Sequence, residues 1–434
     1  MGFILKEKLK ILKLRLKDWN REEYGGMEDR IVKLVEEIAE LDVRGEEVLL
    51  TDVEVILRKE KFGSLWRLLR AKDSMLVQRS GSKWLKEGDA NTKYFHKCIK
   101  GRVSRNHITA LKVDGGWVKS PSEVKRVVVE YFSKHVSRER WERPKLDGVP
   151  FDEVSPEENE KLVAPFLEEE IDRVVKDSDG SKSPGPDGFN FAFIKEFWYL
   201  LKGEVRIMFD QFHANEVIPR GLLSYFVALI PKVSSPMEIK DFRPISLLGS
   251  LYKILSKVLA KRLSGVMDSI ISKSQSAFIK GRHMVDGVLV INEVVDWAKK
   301  SNQQALILKV DFEKAYDSVD WGFLEYMMKR VGLSRKWIAW MKGCVFGDSM
   351  SVLVNGSPTV EINIEKGLKQ GDPLAPFLFL LVVEGFRGLM RNVVRINMFQ
   401  GLRFHEDGMI LSHLQYADDT ICMGKASVDN LWVL

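Results

Sequence analysis

Two aspartates stand side by side in Tyr416-Ala417-Asp418-Asp419, between the runs Met409-Ile410-Leu411 and Thr420-Ile421-Cys422-Met423. A third, Asp311, closes the run Ala305-Leu306-Ile307-Leu308-Lys309-Val310. Short apolar runs of this kind predict buried strands, so each acid is expected at a strand end. Carboxylates gathered there are hard oxygen donors suited to divalent cations such as Mg²⁺. A pair of such cations can hold the attacking and leaving oxygens of a phosphoryl transfer. On spacing alone, adjacent aspartates are more often a solvated loop tip. The phosphoryl-transfer reading therefore needs support from the segments around them.

The lone acid sits in Val310-Asp311-Phe312-Glu313-Lys314-Ala315-Tyr316-Asp317-Ser318-Val319-Asp320-Trp321. Between the acidic sites lies Gly367-Leu368-Lys369-Gln370-Gly371-Asp372-Pro373-Leu374-Ala375-Pro376-Phe377. Upstream come Lys83-Trp84-Leu85-Lys86-Glu87-Gly88-Asp89, Ser183-Pro184-Gly185-Pro186-Asp187-Gly188 and Asp241-Phe242-Arg243-Pro244-Ile245-Ser246. Gln275-Ser276-Ala277-Phe278-Ile279-Lys280-Gly281-Arg282 completes the set. In order, type and spacing these segments resemble the reverse transcriptase of non-LTR (LINE-type) retrotransposons, plant lineages especially. The resemblance runs from about residue 80 to the end.

That resemblance implies an α+β fold: the fingers and palm of a right-hand polymerase, with an antiparallel palm sheet backed by helices. It divides the chain into a helical, basic region over 1–146, fingers over 147–304 and an incomplete palm over 305–434. The chain stops fifteen residues after Asp419, so the expectation is a polymerase truncated after Tyr416-Ala417-Asp418-Asp419, with the thumb absent. The implied activity is RNA-directed DNA synthesis, adding dNTPs to the 3′-hydroxyl of a DNA primer on an RNA template. Two Mg²⁺ ions, with Mn²⁺ as the alternative, are the implied cofactors. The resemblance assigns Asp311 and Asp418 to both metals, Asp419 to a weaker hold beside them, and the Phe312 carbonyl to the nucleotide-side ion. Tyr316, five residues beyond Asp311, matches an aromatic steric gate against the ribose 2′-hydroxyl. The bland reading makes it a core tyrosine whose hydroxyl finds a partner.

Lys232 and Arg243 match cations that reach over the incoming triphosphate, Arg as a bidentate fork and Lys as a point charge. Either alone would be an ordinary surface cation. Gln370 and Gly371 match the turn that positions nucleotide and template. Ala375 stands where the family commonly has serine, which removes one hydroxyl and touches neither metal nor phosphate. Ser183 to Gly188 reads as a rigid turn and lacks the GK[ST] ending of a phosphate-binding P-loop.

Composition fits this picture. The chain has 434 residues, 45% hydrophobic and 29% charged, room for two or three domains. Its three cysteines are scattered, which argues against a disulfide framework or zinc knuckle. The apolar run Ala375 to Val383 is too short to span a bilayer. A soluble, intracellular protein of nucleus or cytoplasm is expected, not a secreted one, with no membrane partner. Residues 61–146 hold 21 Lys+Arg against 8 Asp+Glu, whereas 147–180 hold 3 against 12. Such a reversal marks a boundary. Aromatic residues interleave the basic block, so phosphate contacts and base stacking are expected there, with Lys83, Trp84, Lys86, Lys93, Arg102 and Arg105 as candidates.

Helical periodicity covers residues 3–72, with Met27, Ile31, Leu34, Val35, Ile38 and Leu41 as one stripe. Further helices are expected over 189–201, 205–214, 252–263, 321–331 and 373–390, and strands over 226–230 and 305–310. Asn355-Gly356 between 351–354 and 359–362 predicts a hairpin. Two rival functions stand beside the first. An RNA-dependent RNA polymerase is disfavoured by Tyr316 and the Tyr-Ala-Asp-Asp form. An inactive retroelement remnant would keep nucleic-acid binding alone.

Overall fold

A computed structural model describes residues 2–80, 92–139, 141, 145–403 and 410–434. Two compact units emerge: residues 7–109 with 231–237, and residues 1–6, 110–230 and 238–434.

The first of these is helical. Gly26 adopts a left-handed conformation (φ 61°) and separates the helices Gly2–Tyr24 and Met27–Glu47. A third helix, Asp52–Ser80, packs back on the second. Ion pairs Glu28–Lys72, Glu37–Lys61, Asp42–Arg58 and Arg44–Glu54 show that the two run antiparallel. The apolar stripe lies inside this hairpin: Met27 and Ile38 are buried, while Val35 stays exposed. Helix Thr92–Asn106 follows and packs on Asp52–Ser80.

The second unit contains the sheets. In chain order the strands are β1 (Leu111–Val113), β2 (Gly116–Val118), β3 (Tyr225–Pro231), β4 (Phe242–Leu247), β5 (Ala305–Val310) and β6 (Ser349–Val354). Then come β7 (Ser357–Pro358), β8 (Ile362–Asn363), β9 (Leu402–Arg403), β10 (Ile410–Leu411), β11 (His413–Tyr416) and β12 (Asp419–Lys425). One sheet has the order β11-β12-β5 and is antiparallel throughout. A larger one has the order β4-β3-β6-β7, with β8 also on β6. Its β3 and β6 are parallel, Tyr225 opposite Met350 through Ala228 opposite Leu353. That parallel pairing stands beside the expected antiparallel sheet, which β11, β12 and β5 form. It is a non-local crossover, which a period-2 pattern cannot announce.

Helices cover these sheets. Met284–Ser301 lays Val294 against Leu402, Leu411 and Met423 in one apolar cluster. Ala375–Arg395 buries Leu378, Phe379, Leu380 and Leu381. The apolar stretch expected to break near residues 202–204 breaks instead at Phe197, giving helices Phe191–Glu196 and Trp198–Asn215. Asn190 supplies the cap to the first of these, accepting from the Phe193 amide at 3.0 Å. The Asn355-Gly356 hairpin forms, with φ of 51° and 80° as a type I′ turn requires. Its return strand is split, because Pro358 cannot donate to the ladder and Thr359 bonds Val352 instead. Among the described residues no helix is long and apolar enough to cross a membrane.

Candidate active site

β5 and β12 bring the acids together. Their ladder ends on the pair Val310–Thr420, and one step beyond it lie Asp311 and Asp419. β11 and β12 form a tight hairpin in which Tyr416 opposes Asp419 and Ala417-Asp418 make the turn. Ala417 has φ 55°, a left-handed value that glycine adopts freely and alanine does not. Lys309 reaches across from β5, its Nζ 3.0 Å from Asp419 Oδ1. The Asp419 carboxylate, chiefly through that hydrogen bond, raises the Lys309 ammonium above its ordinary value.

Tyr316 lies half-buried on the same side, stacked on Phe379 with ring centroids 4.8 Å apart. Burial first, and then the charge of Asp418, push its phenol up to about 12. Its backbone carbonyl accepts from Leu368 at 2.8 Å. This bond begins a clamp on the Gly367-to-Asp372 turn. The Gly367 amide donates to Val319 (2.7 Å), Trp321 Nε1 donates to the Gly367 carbonyl (2.8 Å), and the Ser246 amide donates to Gln370 (2.8 Å). Gly371 has φ 106°, and an added Cβ would stand 3.3 Å from the Ser246 carbonyl. The structure thus draws Tyr316, Gln370, Gly371 and the strand bearing Arg243 into one neighbourhood, with Arg243 itself exposed.

Beneath this turn is a buried polar network that the sequence did not announce. Lys369 ion-pairs with Asp348, both side chains almost wholly buried, and donates to the Cys344 carbonyl at 3.1 Å. The ammonium lies 4.3 Å from the Tyr252 ring centroid. Tyr252 in turn donates to Asp372 Oδ2 at 2.6 Å, and Asp372 Oδ1 accepts from the Leu374 amide at 3.0 Å. The Lys369–Asp348 contact is a short ion pair shut away from water. Burial therefore outweighs Lys369 and pushes Asp348 up to about 6. Lys369 and Asp372 fell inside a recognised segment, but Asp348 had no local signal at all.

The Ser183-to-Gly188 turn is also structural. Asp187 Oδ2 accepts from the amide and hydroxyl of Ser250, at 2.5 and 2.6 Å, at the start of helix Ser250–Ser264. Gly185 presses so closely on Leu248 that no Cβ fits.

Lys232 belongs to the helical unit and is exposed. Arg102 and Arg105 are exposed on helix Thr92–Asn106. Lys83, Trp84 and Lys86 lie outside the described residues, as does the side chain of Lys93.

Among the described residues no three of His, Cys, Asp and Glu are drawn close enough to hold a metal. Asp419 nonetheless accepts a cation. A Lys309 ammonium stands against Asp419 as a cation would, and Mg²⁺ keeps water and phosphate oxygens as ligands, so few carboxylates suffice.

A family model described as "Reverse transcriptase (RNA-dependent DNA polymerase)" matches residues 230–431, which include all of these strands from β4 to β12. Residues 230–431 thus match a reverse transcriptase domain, and proteins of transposons and retrotransposable elements are similar to the chain. It is 27% identical over 431 residues to the transposon TX1 uncharacterized 149 kDa protein of Xenopus laevis, covering 96% of this chain and 32% of that protein. A retrovirus-related Pol polyprotein from the type-1 retrotransposable element R2 of Popillia japonica is 28% identical over 225 residues, 51% of this chain and 30% of its own. A probable RNA-directed DNA polymerase from the transposon X-element of Drosophila melanogaster is 25% identical over 261 residues, 58% and 28%. The chain thus spans about a third of the length of these curated relatives. The match to the Xenopus protein runs through nearly all of the chain, so the likeness extends beyond the reverse transcriptase domain into the helical unit.

Proposed function

We propose that this chain is the RNA-directed DNA polymerase core of a non-LTR retroelement protein. Supporting it above all is the β5–β12 register, which sets Asp311 beside the Asp418-Asp419 turn with Tyr316 nearby. Asp311, Asp418 and Asp419, with the Phe312 carbonyl, are the groups that would hold two Mg²⁺ ions. Bound there, the ions supply charge stabilisation to the phosphoryl group under transfer. The chain's own residues do the positioning. Arg243 would neutralise the triphosphate, and Gln370 offers both a donor and an acceptor to the nucleotide or template. Gly371 lets that partner approach the backbone closely. The Tyr316 phenol stays protonated at neutral pH, so its ring closes the sugar pocket as a neutral wall.

In this reading residues 147–304 are fingers, 305–434 palm, and the helical basic region over 1–146 tracks nucleic acid. Lys83, Trp84, Lys86, Lys93, Arg102 and Arg105 are its contacts. The substrates are an RNA template, a DNA primer and dNTPs, inside the cell in nucleus or cytoplasm. The plant affiliation belongs to this proposal too and rests on the form of the motifs.

Primer extension on an RNA template, with Mg²⁺ or Mn²⁺, tests the reading. Extension that Asp311→Asn and Asp418→Asn each abolish, while template binding persists, is the expected result. Template binding without any extension by the unaltered chain would overturn it in favour of an inactive remnant.

A further inference from the structure

The Ala417-Asp418 turn carries a conformation that alanine disfavours, and something must hold it there. Left-handed alanine costs about 1–2 kcal/mol. The holding group is Gln275, whose side chain is buried (2% exposed) against Ala417 (6% exposed). Gln275 Oε1 accepts from the Ala417 amide at 3.0 Å and from the Ala277 amide at 3.0 Å. Its Nε2 donates to the Ala417 carbonyl at 3.3 Å. This pattern fixes which end of the carboxamide is oxygen, because a flipped amide would aim its NH₂ group at two N–H donors. A side chain here does what a neighbouring strand does elsewhere: it pairs both polar groups of one backbone residue.

Backbone bonds extend the same contact. Gln415 donates its amide to Ser274 (2.8 Å), and Ser276 donates to the Gln415 carbonyl (3.1 Å), a one-residue parallel bridge along β11. Behind it Arg282, itself nearly buried, donates to the carbonyls of Gln275 (2.7 Å) and Ile271 (2.8 Å) and to that of Ser272. Asp268 holds the guanidinium from the other side, Nη2 to Oδ1 at 2.7 Å. The Gln275-to-Arg282 segment is therefore a built anchor whose buried Gln275 side chain ends on the residue before Asp418.

We propose that Gln275 is a positioning residue of the polymerase reaction: it holds the Ala417-Asp418 turn in its left-handed form and so sets where the Asp418 carboxylate points. This rests on the polymerase reading above. Gln275 touches no substrate. Its removal leaves a buried Ala417 N–H without a partner and lets the turn relax towards right-handed φ.

The test uses the full chain with Gln275→Ala, Ala417→Gly and the double variant. Hydrogen exchange over residues 412–423 reads the clamp without any need for activity. Gln275→Ala should speed exchange at the Ala417 amide by about tenfold or more, and lower kcat for primer extension on the order of 10- to 100-fold. KM for dNTP should stay within about twofold, because Arg243, Tyr316 and Gln370 are anchored elsewhere. Glycine reaches positive φ without strain, so Ala417→Gly placed on Gln275→Ala should recover much of the lost kcat. A merely structural glutamine predicts no such rescue. Should Gln275→Ala not fold, Gln275→Glu is near-isosteric and replaces the Nε2 donor with an oxygen facing the Ala417 carbonyl, so the same two measurements apply. Faster exchange together with a wild type that never extends a primer would support the clamp and overturn the polymerase reading. Exchange and kcat both at wild-type values in the Gln275 variant would overturn the clamp.

Discussion

Lys369→Met removes the cation paired with Asp348 and leaves everything else in place, with methionine filling most of the volume of the lysine stem. Breaking a buried ion pair from one side typically costs about 3–5 kcal/mol. Here the cost should depend on pH in a calculable way. With Lys369 present, burial already holds the Asp348 carboxyl up at about 6, above its ordinary 3.8. A raised carboxyl contributes most below its unfolded pKa, and that contribution is lost as pH climbs to the folded value. Without Lys369 the folded value climbs further, so Asp348 stays protonated in the folded variant across the neutral range. Each pH unit above about 4 then costs about 1.4 kcal/mol. Wild type stops paying near pH 6, whereas the variant continues. The penalty of Lys369→Met should therefore be about 2 kcal/mol larger at pH 7.5 than at pH 5.5. Urea unfolding at the two pH values reads this directly. Adding Asp348→Leu should restore much of the stability, since an apolar pair of similar volume avoids desolvated charge. A penalty that is equal at both pH values would refute the argument, and so would a double variant weaker than Lys369→Met.

Four further variants have expected outcomes. Gly185→Ala forces a methyl group onto the Leu248 backbone and should destabilise the protein by about 1–3 kcal/mol in thermal or urea unfolding. Glu384, pushed up to about 7 by burial against the pull of Arg387, and His413, pushed down to about 4 by burial and then Arg387, act with opposite signs. Glu384→Gln should gain stability over wild type as pH rises from about 4.5 to 7, while His413→Gln should resist acid better as pH falls from about 6.5 to 4; urea midpoints across pH check both. Tyr316→Ala should admit ribonucleotides in primer extension, losing discrimination by about 1–3 kcal/mol while keeping dNTP addition. Loss of extension with both nucleotide types would make the tyrosine structural instead.

The elements that carry the acids were legible because their signals are local. Ala305–Val310 is a strand, Asn355-Gly356 is a hairpin turn, and the expected helices over 252–263 and 321–331 appear as Ser250–Ser264 and Trp321–Arg330. Each depends on periodicity or turn chemistry within a few residues. What escaped depends on distance along the chain. Gln275 meets Ala417 across 142 residues, and Tyr252 meets Asp372 across 120. A buried glutamine or aspartate looks the same in sequence as an exposed one, so Asp348 could not be told from a surface acid. The parallel β3–β6 pairing escaped for a related reason, since either strand would read alike in any sheet. Phe197 is a different case: its backbone (φ −103°, ψ 18°) leaves the helix inside an apolar run, where side-chain periodicity gives no sign of a break.

The site divides labour between exposed and buried polar groups, and the two kinds should fail differently. Asp311 and Arg243 are exposed, and Asp418 and Asp419 only half-buried, so each keeps much of its hydration. Of Asp311, Asp418 and Asp419, the last is ion-paired with Lys309. Neutralising one of them should spare the fold, while ending any metal-dependent chemistry. Gln275, Lys369 and Asp348 have the reverse character. They are buried, they end on backbone turns or on one another, and the free energy they contribute is spread over folding and turn geometry together. Replacing one of these should lower stability and turnover in step. A chain built this way keeps the Asp311, Asp418 and Asp419 carboxylates in contact with water. It places the burden of alignment on polar groups that water cannot reach.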